Sequence, residues 1–209
     1  MTAQVAWYRR AYAAVVFYPT LLWNCLLGRW LKLRNWWDPI DPLVLVGGYP
    51  FATDAAPLHA AGVRGVVNTC REYAGPESEY RRLGIEQLRI PTTDFTHPRL
   101  ADVEAAVEFI QRHVSRGEAV YIHCKAGRAR SATVALCWLV KYRGLTPAEA
   151  QQRLLQARPH VNPHVHLRPV VSQFVAAFER PTDRSADRSH SVAAGNAATG
   201  ADPDGDRRP

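Results

Sequence analysis

His123-Cys124-Lys125-Ala126-Gly127-Arg128-Ala129-Arg130-Ser131 sets a thiol, an arginine six residues on and a hydroxyl in one short run. The residues before it, Glu118-Ala119-Val120-Tyr121-Ile122, read as a buried strand. Those after it, residues 131–142 (SATVALCWLVKY), are apolar enough for a buried helix. Cys124 therefore falls at the end of a strand, in a turn that opens a helix. Such a turn offers several backbone N–H groups and the positive end of a helix dipole. Both favour a bound phosphate dianion, and both favour thiolate over thiol. Arg130 adds a planar fork that can grip two phosphate oxygens. A lone Cys-x5-Arg pair is common by chance, and the bland reading is a buried structural cysteine followed by a surface arginine. The added histidine, Gly127, Ser131 and the strand–turn–helix setting make the pattern specific. Read this way, Cys124 is the candidate nucleophile and Arg130 the phosphate ligand. Lys125, Ala126, Gly127, Arg128 and Ala129 supply substrate-binding groups. Ser131 is placed to hydrogen-bond the sulfur. His123 reads as a tuner of loop geometry and thiolate acidity rather than as the base.

A departing alkoxide or phenoxide needs a proton. Asp94 follows the strand-like run Glu86-Gln87-Leu88-Arg89-Ile90, on a loop that can swing a carboxyl over a pocket. The competing reading is a turn aspartate capping the next segment. Asp102, the nearest rival acid, opens a helix whose Val103, Val107, Ile110 and Val114 recur at helical spacing. There the helix dipole favours an acid without any catalytic task. No metal and no cofactor are expected. His160, His164 and His166 share a loop with two prolines, but no carboxylate or thiolate joins them.

The chain has 209 residues and a formal charge of +7. Residues 1–37 contribute +5 with no acid, residues 180–209 balance to zero, and residues 38–179 carry only +2. A nucleic-acid partner would want a basic face within the folded domain, so that class is excluded. The four cysteines (Cys25, Cys70, Cys124, Cys137) fit neither a zinc spacing nor a secreted disulfide framework. A nucleophilic thiolate needs a reducing compartment. The pattern predicts strands at 43–46, 63–67, 88–90 and 120–122. It predicts helices at 53–61, 101–115, 131–142, 147–157 and 169–179, with a turn-rich junction at 38–42. Thr146-Pro147-Ala148-Glu149 is a capping box with proline at the first helical position. Strands alternating with helices imply an α/β domain with a central, mostly parallel sheet flanked by helices, over residues 38–180. Residues 181–209 lack large apolar side chains apart from Val192 and read as a disordered tail.

Five of the six tryptophans lie in residues 1–37, and residues 11–28 carry no charge. Arginines flank this run. Aromatic and basic residues at the edges of an apolar stretch mark a membrane–water interface. Three readings stand: an interfacial anchor, a short transmembrane helix, or a helix docked on the domain. A secretory signal is disfavoured because no small-x-small site follows, and a transit peptide because no serine precedes Ser78. If the run spans, Arg29, Lys32 and Arg34 keep the domain on the cytoplasmic side.

Ile40-Asp41-Pro42-Leu43-Val44-Leu45-Val46-Gly47-Gly48, Val63-Arg64-Gly65-Val66-Val67, Tyr80 to Arg89, Thr93-Asp94-Phe95-Thr96 and His123 to Thr133 together resemble the dual-specificity-type protein tyrosine phosphatases. The likeness is greatest to the branch of mitochondrial phosphatases acting on phosphatidylglycerophosphate. It runs from about residue 38 to 178. It implies the cysteine-dependent phosphatase fold, a phosphocysteine intermediate, and a general acid about thirty residues before the nucleophile. Asp94 stands thirty residues before Cys124. The branch's acidic EEYE loop is reduced here to the central Glu72-Tyr73 of Arg71-Glu72-Tyr73-Ala74. Lys125 and Arg128 suit a substrate with more than one anionic group, and a lysine directly after the cysteine resembles phosphatases of inositol lipids. Cys70 resembles the resolving cysteine of lipid phosphatases in the superfamily; a small buried cysteine is the plainer reading. The expected partner is a phosphorylated lipid at a membrane surface, with a phosphoprotein as the alternative substrate and a non-catalytic phosphate-binding module as a third possibility. The resemblance points to the cytoplasmic side of a membrane or, in a eukaryote, to mitochondria.

Overall fold

The computed structural model describes residues 19–23, 25–31, 33–94 and 96–179. The expectations for residues 1–18 and for the tail from 180 onward lie outside them. Five strands make one sheet: β1 (Trp37–Asp41), β2 (Val44–Gly47), β3 (Val63–Cys70), β4 (Glu86–Thr92) and β5 (Ala119–His123). Their spatial order is β1-β2-β5-β3-β4. β1 runs antiparallel to β2, and every other pair is parallel. Parallel neighbours require crossover connections, which bring helices onto both faces and leave the central strands dry. β5 is accordingly buried at all five positions.

Alternation along β5 divides the core in two. Val120 and Ile122 face one side, where they pack with Val44, Val46, Val67 and Ile90 under α3 (Leu100–Val114), α4 (Arg130–Arg143), α5 (Pro147–Ala157) and α6 (Pro169–Glu179). Ala119 and Tyr121 face the other, with Val63 and Val66 under α1 (Ala55–Ala60) and α2 (Glu77–Leu83). α4 is buried without interruption from Arg130 to Val140 and stops at Gly144, whose φ of 67° caps the helix in the left-handed region. α5 begins as the capping box predicts: Thr146 Oγ1 accepts from Glu149 N at 3.3 Å, and Thr146 N donates to Glu149 Oε2 at 2.8 Å.

Three local readings are corrected. Residues 38–41, expected as a turn-rich junction, lie in strand β1. An edge strand has a neighbour on one side only, so Pro39 is tolerated, and the register slips between Pro39 and Asp41. The helix expected at 53–61 is a 3₁₀ turn (Ala52–Asp54) followed by α1. α2 carried no helical stripe to read, because Tyr80 is its only buried residue.

The segment before β1 lies against the domain. Arg29 sits over the rings of Trp36 and Phe51, at 4.4 and 4.6 Å, and pairs with the buried Asp54. Leu22, Trp23, Trp30, Leu31 and Leu33 of the same segment are each more than half exposed. No helix among the described residues is long and apolar enough to cross a membrane.

Candidate active site

β5 ends at His123 and α4 begins at Arg130, so residues 124–129 form the turn between a central strand and a buried helix. Cys124 is buried, and its Sγ accepts the Gly127 N–H at 3.2 Å and the Ser131 hydroxyl at 3.4 Å. Gly127 holds a φ of +66°, and a Cβ there would meet the Gly47 carbonyl carbon at 2.5 Å, so the turn demands glycine. The outer side of the loop is held by backbone and by one side chain. Tyr49 N donates to Lys125 O at 3.1 Å. Arg158 donates from Nε to Gly127 O (3.0 Å), from Nη2 to Ala126 O (3.1 Å), and from Nη1 to Asn35 O (3.2 Å) and Asp38 Oδ2 (2.5 Å). The loop's carbonyls are thus engaged on the far side while the Gly127 amide faces the sulfur.

Burial pushes the Cys124 thiol up. The Arg130 charge, the Ser131 hydroxyl and the Ser131 and Ala126 backbone outweigh it and bring the group down from 9.0 to about 7. Burial also works against the charge on Arg130, but Cys70, Cys124, Asp94 and Glu72 hold it protonated. Its Nη1 donates to Glu72 Oε2 (2.9 Å) and Thr92 O (2.7 Å), and its Nη2 lies 3.2 Å from Asp94 Oδ1. The Lys125 ammonium pairs with the other oxygen of Asp94. Asp94 therefore sits directly beside two cations, Lys125 and Arg130.

His123 is buried, with its ring stacked 5.7 Å from Tyr121. Burial pushes the imidazole down to about 3, against a smaller opposing effect of the Cys124 backbone, so the ring is neutral throughout the physiological range. Its carbonyl accepts from Thr69 Oγ1 at 2.8 Å. Arg128 is exposed and donates to His160 O at 2.8 Å. Asp94, Cys124, Lys125, Ala126, Arg128, Ala129 and Arg130 line one pocket of about 540 Å³, together with Thr20, Asn162, His164 and Arg168. Asp102 is elsewhere, paired with Arg99. Cys70 is buried, and burial raises its thiol far above the usual range. No group of three His, Cys, Asp or Glu side chains able to hold a metal occurs among the described residues.

Three residues of the site were not singled out from sequence. Glu72 accepts from Arg130 with one oxygen and from the Asp94 N–H with the other (2.9 Å), tying the arginine to the acid's loop. Its own loop is fixed by Tyr73, which stacks on Tyr49 at 3.7 Å and donates to Pro50 O. Arg158 braces the loop from behind. Arg168, just before α6, lines the same pocket. The retained Glu72-Tyr73 pair was the one available signal for the first, and nothing local marked the other two.

Residues 44–176 match the family described as dual specificity phosphatase, catalytic domain. The phosphatidylglycerophosphate phosphatase PTPMT2 of Arabidopsis thaliana is 39% identical over 160 residues, covering 75% of this chain and 70% of that protein. The human phosphatidylglycerophosphatase and protein-tyrosine phosphatase 1 is 37% identical over 166 residues, covering 75% and 81%. A crystal structure of PTPMT1 in complex with PI(5)P superimposes with a TM-score of 0.61 at 30% identity, covering 68% of this chain and 99% of that one. With a strand–Cys-x5-Arg–helix cradle built as above, this chain belongs to the dual specificity phosphatase family and is a cysteine-dependent phosphoric monoester hydrolase.

Proposed function

We propose that this protein removes the terminal phosphate of a membrane phospholipid, phosphatidylglycerophosphate first among them. In this reading the Cys124 thiolate attacks phosphorus in line, forming the S–P bond as the ester P–O bond breaks. Arg130 and the loop amides hold the equatorial oxygens as charge develops on them. An incoming phosphate competes with Asp94 for Arg130 and Lys125. Released from the two cations, Asp94 takes up a proton from solvent and gives it to the departing alkoxide. In the second half, Asp94 takes a proton from water as the water oxygen attacks phosphorus. The S–P bond breaks, and the Ser131 hydroxyl receives the returning thiolate. Glu72 and Arg158 act through others, the first by positioning Arg130 and Asp94, the second by holding the loop. His123, neutral and interior, serves packing behind the nucleophile.

The observation that carries the lipid reading is the placement of Thr20. It lines the pocket, and the same segment bears the exposed Leu22, Trp23, Trp30, Leu31 and Leu33. A mouth beside an apolar, tryptophan-bearing strip suits a substrate whose headgroup projects from a bilayer. The arrangement supports an interfacial anchor packed on the catalytic unit, in a reducing compartment on the cytoplasmic or mitochondrial side. Phosphotyrosine in proteins is the second reading, favoured by the double name of the human relative. A side-by-side turnover assay decides. Phosphatidylglycerophosphate in vesicles should exceed a phosphotyrosine peptide in kcat/KM, with a phosphoinositide between them. A peptide preference would overturn the lipid assignment.

A further inference from the structure

Four cations, Lys125, Arg128, Arg130 and Arg168, line the pocket against one carboxylate, Asp94. With Cys124 as the thiolate and Asp94 protonated for its transfer, a phosphomonoester dianion on Arg130 leaves one positive charge in surplus. Lys125 is already paired with Asp94. Arg128 is exposed, where solvent screens its charge. Arg168 differs from both. It is partly buried, and among the described residues it has no carboxylate partner. Its Nη1 donates to Thr133 Oγ1 at 3.0 Å, and that hydroxyl passes the bond to Ala129 O at 2.8 Å, fixing the guanidinium against the first turn of α4. Burial pushes its pKa down, against an opposing effect of Cys124. A partly desolvated guanidinium with no carboxylate partner gains more from an arriving anion than an exposed one does. The residue before it in the chain, Leu167, is 66% exposed.

We propose that Arg168 is a second anion subsite that takes an oxygen of a phosphodiester in the substrate, while the Cys124–Arg130 cradle takes the phosphomonoester. This rests on the lipid reading above. In phosphatidylglycerophosphate, a glycerol separates the terminal phosphomonoester from a phosphodiester, and the diester carries the acyl chains. Arg168 shares the pocket of the cradle, as the diester shares the headgroup with the monoester. Arg168 is then what discriminates a lipid headgroup from a simple alkyl phosphate.

The test uses two water-soluble substrates: the deacylated headgroup of phosphatidylglycerophosphate, which has both phosphates, and glycerol 3-phosphate, which has the monoester alone. The full-length enzyme should prefer the former. Arg168→Gln should lower kcat/KM on the diester substrate by about 10–100-fold, mostly through KM, the loss expected for one charge-assisted contact. Its effect on glycerol 3-phosphate should be several-fold smaller. Arg168→Lys, which keeps the charge without the fork, should fall between, and it decides the matter if the glutamine variant does not fold. Equal losses on both substrates would assign Arg168 to the cradle and overturn the subsite. A preference retained in Arg168→Gln overturns the subsite alone. A wild-type enzyme with no preference for the diester overturns the subsite together with the lipid reading.

Discussion

At Cys124 two opposing effects meet, and their magnitudes decide the chemistry. Burial alone would keep a thiol protonated, as it does at Cys70. At Cys124 the Arg130 charge and the hydrogen bonds around the sulfur outweigh burial and leave the group at about 7. The sign is direct: below about 7 the nucleophile is an inert thiol, and above it a thiolate. The acidic limb of the kcat/KM profile should therefore rise with pH through about 7, and the rate of iodoacetamide alkylation of Cys124, which needs the thiolate alone, should follow that limb. Ser131→Ala removes a donor to the charged form, so both limbs should move to higher pH, with kcat down about 10-fold. Identical limbs in the two proteins would mean that Ser131 does not sense the thiolate. Little of this balance is visible in the chain itself. The cysteine, arginine and serine are adjacent in sequence and could be read. Glu72, which orients Arg130 from 58 positions away, was marked only by the retained Glu72-Tyr73 pair.

The elements that position the site are held by a few long-range contacts. Arg158, at the end of α5, joins the loop carbonyls to Asp38 in β1 across 120 residues of sequence. Both side chains are buried. Removing one partner of a buried pair strands the other charge, so Arg158→Met should cost about 3–5 kcal/mol of stability and slow turnover as the loop loosens. Thr146→Ala, at the start of the same helix, should cost only about 1 kcal/mol and leave turnover alone, because it touches the cap and not the loop. Urea unfolding with parallel kinetics separates them, and matching kinetic losses would contradict the role given to Arg158. This is also where the sequence was and was not legible. α4, β5 and α5 announced themselves by a continuous apolar run, a buried strand pattern and a capping box. β1 was hidden by Pro39, which reads as a turn former but is harmless at a sheet edge, while Pro42 does lie in the turn that follows. α2 presents a single buried residue and so had no periodicity to find.

Across the whole molecule, the pocket and the apolar strip share one segment. Arg29 fastens that segment to Asp54, Trp36 and Phe51, so Thr20 reaches the pocket while Leu22 and Trp23 face outward. The composition of residues 1–37 left an interfacial anchor, a short transmembrane helix and a helix docked on the domain open; among the described residues of that stretch, Arg29 ties the chain to the domain. Leu22→Ser, Trp23→Ser and Trp30→Ser combined should weaken partition onto anionic phospholipid vesicles by at least about 100-fold, since each side chain contributes about 1.5–3 kcal/mol when buried in an apolar phase. The unfolding midpoint should barely move, as these side chains are exposed. Unchanged partition would remove the strip from the account. The central claim is covalent: phosphate passes through sulfur at Cys124. Rapid denaturing quench at neutral to alkaline pH, where an S–P bond survives, of the enzyme turning over a ³²P-labelled phosphomonoester, followed by peptide mapping, tests it most directly. The account predicts one labelled peptide, containing phosphocysteine at Cys124, and neither label nor turnover in Cys124→Ser. Label on any other residue, or full turnover in Cys124→Ser, would contradict it.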